Sequence, residues 1–223
     1  MSKLLASVRE AIEKTGLKDG MTISFHHHMR NGDYVLNMVL EEAASMGIKD
    51  LTVNACSIFD VHKPIIEHIK NGVVTGLECN YMGAEVGKAI SKGILEKPVI
   101  FRSHGGRAGD MENGSSKIDI AFLAAPCADN MGNCSGKYGP SACGSMGYAF
   151  SDAMHADKVV VLTDNLVPYP LKDTSIAEGY VDYVVEVDQI GDPKKIATGA
   201  AKPTTDMRKL MMADYCTQFV VNT

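Results

Sequence analysis

No stretch of this sequence approaches the roughly 20 consecutive apolar residues that a membrane-spanning helix requires. Its opening residues, MSKLLASVREAIEKTG, carry charges on a helical period in place of a continuous apolar core, so no secretory signal is expected. None of the six cysteines (Cys56, Cys79, Cys127, Cys134, Cys143, Cys216) forms a CxxC pair, and a chain this long needs no disulfide staples. Reduced thiols and a cytoplasmic setting are the expectation. Basic residues are not in excess either. Lys and Arg number 22 against 27 Asp and Glu, for a net charge of −5, which argues against nucleic acid or an anionic membrane as partner. An anion would have to be met by a local basic cluster. Internal repeats, low-complexity linkers, a Walker A motif and a GxGxxG are all missing.

What is present is an ordinary globular composition: 223 residues, 45% hydrophobic and 22% charged. Short apolar runs alternate with amphipathic ones. MTISF, LTVNAC, VVTGLEC, PVIF, IDIAFLAAP, KVVVLTD and DYVVEV read as buried strands. Between them, LLASVREAI, YVLNMVLEEAASMG, VHKPIIEHIKNG, AEVGKAISKG and SMGYAFSDAMHA follow the helical period, and TTDMRKLMMADYCTQFV adds a terminal helix. This grammar predicts a three-layer α/β/α domain over residues 1–223, with helices on both faces of a mostly parallel sheet. One long segment, Arg102 to Lys117 (RSHGGRAGDMENGSSK), reads as irregular.

In open parallel sheets, ligands bind where loops gather at the carboxyl ends of strands. Three polar or Gly-rich loops follow strands here: His26–Asp33, Arg102–Lys117 and Cys127–Ser145. The first contains three consecutive histidines. On an extended segment successive side chains alternate, so only His26 and His28 share a direction. A zinc site would need a further ligand, with His104 the nominee, and no cysteine or carboxylate stands at a recognisable metal-ligand spacing. Histidines of a polar loop with no role are the plainer reading. In RSHGGRAGD, Arg102 and Arg107 can grip carboxylate or phosphate while Gly105 and Gly106 let backbone approach a ligand, or the segment is a solvated surface turn. CSGKYGPSACGSMG resembles a loop entering a helix, where free N–H groups attract anions. Cys134 and Cys143 have no visible base beside them and read as small apolar residues.

Five segments together, GLKDGMTISFHHHMRNGDYVLNMV, PVIFRSHGGRAGDMENG, IDIAFLAAPCADNMGN, YGPSACGSMGYAFSDA and ADKVVVLTDNLVPYP, resemble the alpha chains of citrate lyase nearly end to end. More distantly, the chain resembles the first half of family I CoA-transferases, with their NagB/RpiA-like fold. The resemblance implies a citrate CoA-transferase, exchanging acetyl for citryl on a thiol: acetyl-carrier and citrate give citryl-carrier and acetate. The thiol would belong to CoA or to a CoA-like group (phosphoribosyl-dephospho-CoA) on an acyl carrier protein. It implies a beta chain and that gamma carrier chain as partners in an oligomer, and no metal for the transfer step. It also implies roles for particular residues. His27 and His28, with backbone N–H groups of their turn, would stabilise an oxyanion. His26, Arg30, Asn31, Gly32, Arg102, Ser103, His104, Gly105, Gly106, Arg107, Asn133, Ser141 and Gly144 would bind citrate or the CoA-like arm. Family alpha chains have two α/β halves with the attacking glutamate in the second, and this sequence matches the first; no catalytic carboxylate is identified. Alternatives are transfer to another di- or tricarboxylate, or a non-catalytic half that docks the carrier protein.

Overall fold

A computed structural model describes residues 2–196 and 204–221. In chain order its elements begin β1 (Leu4–Leu5), α1 (Val8–Thr15), β2 (Thr22–Phe25), α2 (Val35–Ser45), β3 (Leu51–Ile58), α3 (Ile65–Lys70), β4 (Val74–Met82) and α4 (Ala84–Ser91). They continue with β5 (Ile100–Phe101), α5 (His104–Glu112), β6 (Ile118–Ala124), β7 (Cys127–Asp129), β8 (Cys134–Ser135), α6 (Ala149–His155) and β9 (Ala156–Thr163). Last come β10 (Leu166–Val167), β11 (Tyr183–Glu186), α7 (Pro193–Ile196) and α8 (Met207–Val221).

Eight strands form one sheet in the order β1-β11-β9-β6-β2-β3-β4-β5, every pairing parallel. Such strands are buried on both faces, which is why they read as unbroken apolar runs. Alternate residues feed two cores: Ile120 and Phe122 pack with α1 and α2 residues such as Ile12, Leu36 and Val39. Ala121 and Leu123 turn the other way, towards Met111 of α5 and Ala149 and Ala153 of α6. The expected three layers are present.

The chain winds outwards from β2 through β3, β4 and β5, then returns to the other side of β2 with β6 and continues through β9 and β11. Ile23 and Ser24 of β2 lie beside Ile120 and Ala121 of β6. Loops leaving these two strands diverge and open a crevice at their carboxyl ends.

Three expectations need correction. The segment Arg102–Lys117 is mainly helix, since α5 begins at His104. Ser103 caps it, its side chain accepting from the Gly106 N–H at 3.0 Å, and buried Arg107 and Met111 anchor its inner face. The helix expected from Leu4 starts only at Val8, because Leu4 and Leu5 pair with Val184 and Val185 as an edge strand. A three-stranded sheet, β10-β7-β8, is built from the loop after β6 and the residues just after β9, in strands too short to show a period.

Candidate functional site

β2 ends at Phe25, and the next residues run along the carboxyl edge of the sheet at the crevice. His26 and His28 do share a direction: their Nδ1 atoms are 3.0 Å apart, and His28 Nε2 lies 2.7 Å from the Ala124 carbonyl at the end of β6. The rings of His26 and His27 stack with centroids 5.1 Å apart, and His27 meets the first residue of α5, His104, edge-on at 4.9 Å. Tyr148, entering α6, covers His104 from the far side at 5.3 Å.

These groups enclose a cleft of about 650 Å³, completed by Arg30, Asn31, Phe59, Cys143, Ser145 and Gly147. Among the described residues, its lining has no carboxylate. Burial, helped by neighbouring imidazoles, pushes His26 well below the ordinary histidine range and His27 down to about 4. Burial likewise lowers His28 to about 4, against the Ala124 carbonyl that favours its protonation. Near pH 7 these three are neutral, and Arg30 brings a formal positive charge to the cleft. Arg30 adopts a left-handed backbone, φ 53°, unusual for a side chain of this size. The turn is pinned beside it, with Asn31 Oδ1 accepting the Val61 N–H at 3.0 Å.

The backbone of this turn is largely spent on itself. The N–H groups of Arg30, Gly32 and Asp33 bond to carbonyls of His27, Met29 and Arg30. Gly32 faces away from the cleft, where an added Cβ would sit 2.6 Å from Ile196 and 2.7 Å from the Asp192 carbonyl.

Arg102 and Arg107 stand apart from the cleft lining. The Arg107 side chain is buried and donates to Asp152 Oδ1 at 2.5 Å and to Asn54 Oδ1 at 2.6 Å. Arg102 donates to Glu78 and Asp110, both at 2.6 Å, and Glu78 also accepts from Asn54 at 2.8 Å. The two guanidinium groups thus belong to one ion network beneath α5, which holds a helix carrying three glycines against the sheet. Ser103 caps that helix, while Gly105 and Gly106 form its first turn. Asn133 donates to Asp129 of the small sheet and to Glu178, and Ser141 donates to Asp164 at 2.5 Å. Gly144, with φ 84°, positions Cys143 and Ser145 on the rim. Sequence reading missed Phe59, Cys143, Ser145, Gly147 and Tyr148. Phe59 follows the carboxyl end of β3, so the rule that located the histidine loop also reaches it.

The model of the citrate lyase alpha subunit family matches residues 1–223. The chain is 50% identical over 218 residues to the citrate lyase alpha chain of Haemophilus influenzae, covering 98% of this chain and 44% of that one. A crystal structure described as an alpha subunit of citrate lyase from Streptococcus mutans in complex with citrate superimposes with a TM-score of 0.91 at 54% identity. That match covers 100% of this chain and 44% of the other. An Escherichia coli acyl-CoA transferase shares the fold at 12% identity, TM-score 0.65, over 91% of this chain and 52% of its own. The chain thus spans a little under half the length of the alpha chains it matches. With this cleft at the switch point of this sheet, the chain belongs to the citrate lyase alpha subunit family.

Proposed function

We propose that this chain provides the substrate-facing half of a citrate CoA-transferase. The reaction exchanges acyl groups on one thiol: an acetyl thioester and citrate give a citryl thioester and acetate. The observation that carries this reading is the cleft itself, which in a chain of net charge −5 presents imidazoles and a guanidinium, with no lining carboxylate among the described residues. Its 650 Å³ and its aromatic edges, Phe59 and Tyr148, suit a tricarboxylate together with the end of a CoA-like arm. That arm, carried on an acyl carrier protein, supplies the thiol that bears the acyl group.

Arg30 pairs with citrate carboxylates at the mouth of the cleft. A neutral His27 directs an N–H at the developing oxyanion, an interaction worth ~3 kcal/mol in the barrier. His28, committed to the Ala124 carbonyl, holds His26 and the turn in register. The attacking carboxylate comes from the second α/β half of the family architecture. Leu210, Met211, Met212 and Tyr215 of α8 are exposed, an apolar surface suited to cover by that half or by the beta and carrier chains.

The test is acetate release from an acetyl thioester plus citrate. A full-length alpha chain with the second half is expected to release acetate, and residues 1–223 alone are expected to release none. Exchange by residues 1–223 alone contradicts the half-site reading; silence of the full-length chain contradicts the transferase reading.

A further inference from the structure

At the floor of the cleft, a cysteine that the acyl exchange does not use meets two of the histidines. Cys56, on β3 and 1% exposed, approaches His26 and His27 from the neighbouring strand. One nitrogen of each imidazole and Cys56 Sγ all lie within 4.8 Å of one another. His26, 6% exposed, has its Nε2 buried without a hydrogen-bond partner, and so does His27 at Nδ1.

The hydrogen bonds around His28 decide what His26 presents. The Ala124 carbonyl can only accept, so His28 Nε2 carries the hydrogen. A neutral His28 then has its lone pair on Nδ1, and the 3.0 Å contact requires His26 Nδ1 to be the donor. The remaining nitrogen of His26, Nε2, is left as a bare lone pair in a buried site. Leaving such an acceptor unsatisfied costs about 1–3 kcal/mol, so the site calls for a ligand.

We propose that His26, His27 and Cys56 form a site for a thiophilic divalent cation of the zinc class, at the floor of the cleft. Two neutral imidazoles and a thiolate are a donor set that zinc accepts, and three protein ligands leave a fourth position open towards the cleft. Tetrahedral bonds of about 2.0–2.1 Å to nitrogen and 2.3 Å to sulfur set ligand-to-ligand edges of roughly 3.3–3.6 Å. The three donors need to close in by at most about 1.5 Å from their present spacing. Burial raises the Cys56 thiol to about 11 despite the Arg107 guanidinium and the His27 backbone N–H that donate towards Sγ, so a bound cation is what displaces its proton, and metal uptake releases that proton. Asp152 neutralises Arg107, so the charge next to the site is that of an ion pair rather than of a lone cation. The cysteine escapes a spacing search because it lies 29 residues beyond His27 and reaches it by pairing of β2 with β3.

The experiment uses tag-free protein stripped with a chelator and titrated with cobalt(II), then zinc. One equivalent of cobalt is expected to bind with a sulfur-to-metal charge-transfer band in the near ultraviolet. Cys56→Ser should abolish that band, while Cys143→Ser and Cys216→Ser retain it. His26→Gln should weaken zinc binding by roughly 100-fold or more. X-ray absorption of the wild-type zinc complex should show one sulfur among nitrogen or oxygen neighbours, a readout that stands even if a variant does not fold. Lack of saturable binding, a shell without sulfur, or a band lost in Cys143→Ser instead of Cys56→Ser overturns the proposal. Acyl exchange by the stripped full-length alpha chain is assayed in parallel: exchange without metal binding removes the site and leaves the transferase reading, and the reverse pattern does the opposite.

Discussion

Arg30 and Arg107 are the same residue type in two segments that both flank the histidine cluster, and the fold uses them in opposite ways. Arg30 is exposed on the lip of the cleft. Arg107 is 2% exposed, with Asp152 and Asn54 on its guanidinium. A charge at the surface keeps much of its hydration. A charge taken into the interior has been desolvated and must be fully paired to remain. Breaking the first should cost chemistry, and breaking the second should cost the fold.

The largest effect is expected at Arg107. Arg107→Met leaves the Asp152 carboxylate, 0% exposed, without its partner, and removal of one member of a buried pair costs about 3–5 kcal/mol. Denaturant unfolding should show that loss, and the double variant Arg107→Met with Asp152→Leu should recover much of it. A stable single variant would mean that the network beneath α5 is not what holds the helix.

His27 sharpens the contrast from the other side. His27→Ala in the full-length alpha chain should lower acyl-exchange kcat by about 10²–10³-fold, as for loss of one oxyanion donor, with unfolding unchanged. Unaltered turnover removes His27 from the mechanism.

Acid should separate buried imidazoles from solvated ones. His62, 1% exposed, is pushed down by burial to about 4, against about 6.5 in an unfolded chain. Its folded pKa is depressed, so the unfolded chain binds the proton first. That stability is complete above pH 6.5 and is lost as the pH falls towards 4, on the order of 3 kcal/mol at most. Asp33, 3.7 Å away, works in the opposite sense: burial raises it to about 7, so its contribution is complete below pH 4 and fades as the pH rises through 7. His26, His27 and His28 add to the direction of His62, and the balance is a fall in unfolding free energy from pH 7 to pH 4.5. A flat profile over that window would show these imidazoles to be better solvated than their burial indicates.

How much of this was legible beforehand follows from the same physics. Parallel strands buried on both faces must be apolar throughout, so Leu51–Ile58 and Ile118–Ala124 announce themselves, and with them the sheet and its loop-bearing edge. The histidine loop was legible because it follows β2. α5 was not, because Gly105, Gly106 and Gly109 each weaken a helix by roughly 1 kcal/mol against alanine. Ion pairs of Arg102 and Arg107 with residues 24 and 45 positions away outweigh that local preference, and no local window contains them. For the same reason, two arginines that looked like ligand-binding groups lie in an ion network beneath α5 outside the cleft lining, and Cys56 was invisible beside His26. The substrate class came from resemblance, since imidazoles and one guanidinium specify an anion without naming it.

The smallest expected effect falls on Arg30. A hydrogen bond to a charged group is worth about 1.5–3 kcal/mol, so Arg30→Gln should raise the KM for citrate about 10–100-fold and leave kcat close to wild type. The backbone gives a second handle. At φ 53° a glycine is relaxed where arginine is strained, so Arg30→Gly should show the same KM rise without the stability loss usual for glycine. Matching KM values in the two variants would assign the effect to the guanidinium. If only Arg30→Gly fails to bind citrate, the residue matters through the shape of the turn, and Arg30 joins Arg107 as scaffold.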